Sequence, residues 1–251
     1  MKLLWIVSIA IATTGLVGAA DLPKGDTIID RYVEVTGGRQ NYEKRTSEYA
    51  SGTVAMAAAS VKGKIEWWAA APNSRTEVME MEGIGRIESG TDGAIAWENS
   101  AIMGPRVRAG AELRDHLRDA IFNWPIHWRK SYKSAETLGI EKVDGADCYR
   151  LLVTPFEGKP ETWYFDRKSG FLVKVLRSTM TTMGEINGEL LFKDYKDIDG
   201  IMVAVTQVQR AAQQEVIMKL DVVKSNIKMP KDRFTPPADV KPLLAPAKKA
   251  A

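Results

Sequence analysis

Short runs of alternating apolar and polar residues, separated by turn residues, fill most of the chain between residues 48 and 227. In the run VKGKIEW at 61–67, apolar residues and glycine alternate with charged residues, which is the period of a strand with one buried face. Asp-Gly pairs at 92–93, 144–145 and 199–200 are typical of hairpin turns. The pattern predicts about nine to eleven strands in consecutive hairpins, hence an antiparallel meander. So many strands in one domain curl into a barrel or split into a sandwich.

The strand boundaries follow from the alternation and from the turn residues. One long strand is predicted from Arg75 to Ile87, followed by a short one around Trp97. The later strands are expected over Lys133–Leu138, Lys142–Val143, Asp147–Thr154, Glu161–Phe165, Phe171–Arg177, Glu189–Tyr195, Ile201–Arg210 and Glu215–Ile227.

Two segments have the period of a helix instead. Asp26–Thr36 carries apolar residues at three- and four-residue spacing, and Gly37-Gly38 is expected to end that helix. Gly110–Trp124 is amphipathic, and Pro125 is expected to end it. The second helix therefore interrupts an otherwise strand-rich chain.

Composition limits the classes of function. The chain has 251 residues and a formal net charge of +3, so it can bury a sizeable core and does not resemble a polybasic nucleic-acid binder. Its one cysteine, Cys148, permits no intramolecular disulfide and is expected to be an inert packed thiol. Two histidines almost exclude a metal site built on several imidazoles.

The chain divides into three parts. Residues 1–20 combine Lys2, an apolar run and a final Gly-Ala-Ala, which predicts a cleaved secretory signal and a periplasmic location. An uncleaved anchor helix is the alternative for this segment. Residues 21–240 are expected to form one domain, and residues 241–251 a loose tail rich in Pro, Ala and Lys.

Catalytic motifs are absent from the sequence. It contains no G-x-S-x-G, H-E-x-x-H, Walker or C-x-x-C pattern. Asp115, His116 and Asp119 could form a metal cluster, but a solvated helix face is favoured, because Asp115 and Arg118 are spaced to pair across one turn. The chain is therefore not expected to be an enzyme or to need a cofactor.

Several segments resemble the LolA family of periplasmic lipoprotein carriers and its lipid-binding relatives. The similar segments are WAAAPN at 68–73, TDGAIAW at 91–97, WYFD at 163–166, SGFL at 169–172, DIDGI at 197–201 and DRFTPP at 232–237. The resemblance implies a mainly β (α+β) fold: a strongly curved antiparallel sheet forming an incomplete barrel, with an N-terminal helix and a central helical lid. It also implies the task of holding acyl chains in an apolar hollow. Where the carriers have an arginine that latches the lid, this chain has Ala71, with Arg75 nearby.

The resulting hypothesis is a monomeric periplasmic carrier or binder of acyl chains, from lipoproteins or other envelope lipids. Inner-membrane donor and outer-membrane acceptor proteins are possible partners. The alternative is an envelope-stress sensor of RseB type that acts through protein contacts. The expected cavity wall consists of Ile65, Trp67, Met79, Met81, Trp97, Leu151, Trp163, Phe165, Phe192 and Met218. The expected inner surface of the lid consists of Leu113, Leu117, Ile121 and Trp124.

Overall fold

The computed structural model describes residues 22–182 and 184–244. The predicted signal segment and residues 245–251 of the predicted tail lie outside this part of the chain. Of the tail, Lys241–Leu244 forms one helical turn that follows the buried side chain of Val240.

A single antiparallel sheet of thirteen strands dominates the described residues. Its order is β6-β5-β4-β3-β2-β1-β13-β12-β11-β10-β9-β8-β7, so β6 and β7 are free edges and the sheet stays open. The strands are β1 Ser47–Met56, β2 Val61–Ala70, β3 Ser74–Met81, β4 Gly85–Thr91, β5 Ala96–Ser100, β6 Gly104–Val107, β7 Tyr132–Val143, β8 Ala146–Pro155, β9 Glu161–Asp166, β10 Leu172–Thr181, β11 Gly184–Ile198, β12 Ile201–Ala211 and β13 Gln214–Ser225.

The predicted meander is confirmed, but several boundaries were wrong. The expected strand over residues 75–87 is two strands, because Gly83 and Gly85 adopt positive φ and reverse the chain between β3 and β4. The two segments expected at 133–138 and 142–143 form one strand, β7. The strand expected at 189–195 extends over 184–198 as β11. Alternation alone does not distinguish a tight reversal from a continuing strand.

Five α-helices and one 3₁₀ turn complete the described residues. They are α1 Gly25–Val35, α2 Gly38–Lys44, α3 Gly110–Asp119, α4 Trp124–His127, the 3₁₀ turn Trp128–Lys130, and α5 Lys241–Leu244. The prediction for α1 is confirmed within one residue at each end. Gly37-Gly38 ends α1 as expected, but α2 begins at once, which the sequence analysis missed. Within the described residues, no helix has the length and apolar character needed to cross a membrane.

The central helix is shorter than predicted. α3 ends at Asp119 rather than at Trp124. Asn123 then takes a left-handed conformation, and its side-chain amide donates to the carbonyl oxygens of Tyr42 and Arg45 at 2.7 and 3.0 Å. These bonds fix a sharp turn that starts α4, where Pro125 occupies the first turn of a new helix instead of ending the old one.

The buried side chains form separate clusters on the two halves of the sheet. One cluster joins α1 to β8, β9 and β10 through Ile29, Leu151 and Phe165. A second joins β1, β2 and β13 around Ile65 and Leu220. A third, smaller cluster joins α1, α2, α4 and β12. The space between the first two clusters holds the site described below.

The ladder between β1 and β13 joins the two halves and contains a bulge. Ser51 pairs with Val222, while Gly52 pairs with Leu220, so β13 has one extra residue at this point. A Cβ on Gly52 would lie 1.9 Å from the carbonyl oxygen of Lys219. Only glycine therefore fits here without moving the backbone.

We predict that Gly52→Ala lowers the free energy of unfolding by about 3 kcal/mol, because a backbone atom must move to accept the methyl group. Denaturant unfolding of the purified protein measures this loss. Thr53→Ala, one residue along the same strand, is the control and should cost less than about 1 kcal/mol. Equal costs for the two variants would contradict the role given to Gly52.

Candidate ligand-binding cavity

A cavity of about 730 Å³ lies between the concave face of the sheet and the segment that contains α3 and α4. Ligand sites in proteins commonly have volumes of a few hundred to about a thousand Å³. The wall includes residues from β1, β3, β4 and β9 to β13, so it spans both halves of the sheet. The protein's own side chains leave this volume open.

Methionine and aliphatic side chains form one side of the cavity. Met56, Met79, Met81 and Met218 line it together with several Ile and Val side chains. Gly63 of β2 is paired with Met81 of β3. Because Gly63 has no side chain, the side chain of Met81 can lie against β2 at this point. Methionine is unbranched and polarizable, so this wall can adapt to apolar ligands of different shapes.

Aromatic side chains form the opposite side. Trp163 lies edge-on to Trp124 and to Tyr132, with ring centroids 5.3 and 5.1 Å apart. Trp124 in turn stacks on Tyr32 of α1 at 5.7 Å. These contacts hold the rings at fixed angles, so this wall is more rigid than the methionine wall.

A buried carboxylate lies beside the aromatic wall and also lines the cavity. Glu161 is 3% exposed, and its Oε2 accepts bonds from Trp163 Nε1 at 2.8 Å and from the Tyr132 hydroxyl at 3.1 Å. Arg118 Nη2 lies 3.1 Å from the other oxygen. Burial raises the pKa of Glu161, and the charge of Arg118 opposes that rise. The carboxylate thus positions one tryptophan, one tyrosine and one residue of α3.

Ion pairs at both ends hold α3 over the cavity. Near its start, Glu112 accepts bonds of 2.6–2.9 Å from Arg106 and Arg108, which also bond Glu98 of β5. Near its end, Asp119 accepts a bond of 2.8 Å from Arg177 of β10. Together with the pair between Arg118 and Glu161, these contacts connect α3 to β5 and β6 on one side and to β9 and β10 on the other. We call α3 with these pairs the strap.

The apolar side chains of α3 are only half-buried. None of the residues of α3 is fully buried, including Leu113 and Leu117. Asp119, which was expected on a solvated helix face, lines the cavity instead, and so does its neighbour Arg118. The expected pair between Asp115 and Arg118 is present at 3.3 Å. The described residues contain no group of three side chains suited to a metal ion.

His116, a residue of the strap itself, also lines the cavity. Burial lowers its pKa to about 4, and the nearby charges of Arg108 and Arg75 act in the same direction. Asp119 and Glu77 oppose the shift. His116 is therefore neutral at the pH of most aqueous compartments.

The predicted wall residues fall into two groups. Seven line the cavity: Met79, Met81, Trp163, Phe192, Met218, Ile121 and Trp124. Seven do not: Ile65, Trp67, Trp97, Leu151 and Phe165 are buried in the core, whereas Leu113 and Leu117 are half-buried on α3. Strand alternation assigns a face but not a depth, so it does not separate the cavity wall from the core.

Sequence reasoning missed the polar wall of the cavity. Its members are Arg75, Glu77, Arg108, His116, Arg118, Asp119, Glu161, Arg177, Gln207 and Gln209. The sequence feature that could have indicated this polar wall is the presence of charged residues, such as Glu77 and Arg177, at inward positions of strands. Arg75 bonds Glu77 of its own strand at 2.8 Å and lies over Trp67, so its hydrogen bond does not go to the strap. Cys148 is buried and free, as expected.

The architecture is similar to three solved structures. A DUF1329 family protein from Desulfovibrio piger matches with a TM-score of 0.57 and 11% identity over 85% of this chain and 98% of its own. A LolA superfamily protein from Nitrosomonas europaea matches with a TM-score of 0.56 and 11% identity over 86% and 99%. A domain from Vibrio parahaemolyticus named as an outer membrane lipoprotein-sorting protein matches with a TM-score of 0.52 and 13% identity over 82% and 97%.

These likenesses show that the chain has a LolA-like fold, as the sequence resemblance implied. No family model matches the sequence. No curated protein matches it either.

We predict that Glu112→Gln loosens the strap. The change removes the charge that Arg106 and Arg108 share, so the opening free energy of the α3 amides should fall by about 1–3 kcal/mol. Hydrogen exchange of α3 measures this directly. The control is Glu43→Gln, which breaks a 3.6 Å pair with Arg39 whose side chains are both 57% exposed, and it should change stability by less than about 0.5 kcal/mol. Unchanged exchange in α3 would show that the ion pairs do not hold the strap.

We predict that His116 makes the protein less stable as the pH falls. The unfolded chain binds a proton near pH 6.5 and the folded chain only near pH 4, so stability decreases between these values as the pH drops. At pH 5 the loss from this group is about 2 kcal/mol. Unfolding curves of the wild type and of His116→Gln, compared from pH 7 to pH 5, measure it as a steeper fall in the wild type. Parallel curves would contradict the low pKa.

Proposed function

We propose that this protein is a periplasmic carrier or binding protein for acyl chains of lipoproteins or other envelope lipids. The observation that carries the proposal is the cavity itself: about 730 Å³ of open space with one methionine-rich wall and one aromatic wall. An acyl chain in water costs about 0.8 kcal/mol for each exposed methylene, so such a hollow offers it a large gain. The periplasmic location rests on the predicted signal segment.

The strap supports reversible loading. Ion pairs at its ends, rather than a packed apolar underside, hold α3 over the cavity, so it can be displaced without exposing a large core surface. Several of these ion pairs are partly buried and share a side chain with another pair. They keep the helix in place until a ligand or another protein competes for their charged groups. The proposal assigns no catalytic step and no cofactor.

Binding of a fluorescent fatty acid, at a concentration at which the fatty acid is monomeric in water, tests the proposal. We expect saturable binding with a one-to-one ratio, accompanied by quenching of the tryptophan emission from Trp124 and Trp163. Leu190→Trp adds volume to the cavity wall and should weaken binding at least about tenfold, equivalent to about 1.4 kcal/mol.

The matched control is Leu138→Trp, which adds the same volume at an exposed position on the edge strand β7. It should bind the fatty acid like the wild type. Absence of saturable binding by the wild type would overturn the proposed function. Equal affinity of both variants would move the binding site away from this cavity.

A further inference from the structure

The two ends of the sheet have turns of different chemistry. An antiparallel meander places successive turns at alternate ends. Five turns at one end include exposed Ala, Ile, Met and Phe side chains, and we call this set the mouth rim: residues 57–60, 82–84, 101–103, 156–160 and 212–213. The turns at the opposite end contain Asp-Gly, Pro-Asn and Arg-Lys-Ser-Gly sequences: residues 71–73, 92–95, 144–145, 167–171 and 199–200.

The mouth rim carries the two most exposed large apolar side chains among the described residues. Ile102 is 68% exposed and Phe156 61%, and Met103 is 50% exposed. Around them, Ala57, Ala58 and Ala59 form an exposed turn without a charge. Large apolar side chains exposed in several turns at one end of a sheet indicate a surface that another apolar phase covers.

The mouth rim is continuous with the cavity. Ile84 and Ile102 belong to the rim and also line the cavity. Met56 lines the cavity as well, and it is the last residue of β1 before the alanine turn. The methionine wall therefore reaches the surface at the rim, so an acyl chain could pass from an apolar phase outside to the cavity without crossing water.

The arrangement of the rim favours a lipid bilayer over a protein surface. Its apolar side chains project from separate hairpin turns around a concave opening, whereas protein interfaces have a closely packed core patch. Such tips can enter the boundary between headgroups and acyl chains. The rim also contains Glu82, Glu157 and Lys159, of which Lys159 pairs with Glu185 at 2.6 Å, so it has no excess of positive charge.

We propose that the mouth rim inserts shallowly into the surface of a lipid bilayer and so places the cavity opening against the acyl chains. This inference rests on the proposed function, since it gives the route by which a lipid enters or leaves the cavity. The contact is apolar, so it should persist in high salt.

A label on the rim tests the contact. Cys148 is buried and burial raises its pKa to about 11, so a cysteine introduced at Met103 is the reactive thiol. A polarity-sensitive dye on Met103→Cys should brighten and shift to the blue with vesicles of phosphatidylethanolamine and phosphatidylglycerol, with or without high salt. The same dye on Leu138→Cys, at an exposed position away from the rim, should not respond. No response at Met103, or equal responses at both positions, would overturn the proposal.

Lipid extraction distinguishes this inference from the proposed function. The double variant Met103→Gln, Phe156→Gln changes rim residues that do not line the cavity. It should bind the monomeric fatty acid like the wild type but extract labelled lipid from vesicles at least about tenfold more slowly. Leu138→Gln, Ile140→Gln is the matched control with wild-type extraction. Wild-type extraction by the rim variant would overturn the rim proposal and leave the carrier function standing, whereas loss of fatty-acid binding by the wild type would overturn both.

Discussion

The ladder between β1 and β13 is the constraint on which the rest of the structure depends. It pairs residues 48–56 with 216–225, segments about 170 residues apart, and so joins two meanders that would otherwise be separate sheets. The cavity wall takes Met56 and Val54 from one side of this junction and Val216 and Met218 from the other. Because the bulge at Gly52 increases local twist, the same junction helps to bend the joined sheet around a hollow. Without it there would be no common concave face.

The cavity remains open because the element that covers it is held by charge rather than by apolar packing. A helix with a broad apolar face would bury that face in the hollow and fill it. α3 instead has no fully buried residue, and its bonds run to Arg106, Arg108, Glu161 and Arg177 on the surrounding strands. The Glu112 carboxylate keeps its charged hydrogen bonds to two arginines although it lies near the surface. The strap is therefore stable while the space below it stays free.

Much of the fold could be predicted from the sequence, and the site only in part. Alternation and Asp-Gly turns specify hairpins locally, which is why the meander was predictable. These local patterns carry no information on the pairing of β1 with β13. The resemblance implied only the overall shape of the sheet. The sequence also could not predict how deeply each inward side chain is buried. Met79 and Ile65 are cross-strand partners, yet Met79 lines the cavity and Ile65 lies in the core. The pairing of Asp119 with Arg177 could not be predicted from either segment alone, since it exists only once α3 lies over β10.

If the space under the strap is an acyl-chain site, the purified protein should retain one lipid molecule after exposure to lipids. Mass spectrometry of the intact protein under non-denaturing conditions, after incubation with a mixed extract of bacterial envelope lipids, tests it most directly. We expect a mass increase equal to one acyl-bearing lipid for each chain, which is absent when Leu190→Trp is treated in the same way. A wild-type protein that remains at its own mass in the presence of the extract, while folded by circular dichroism, would contradict it.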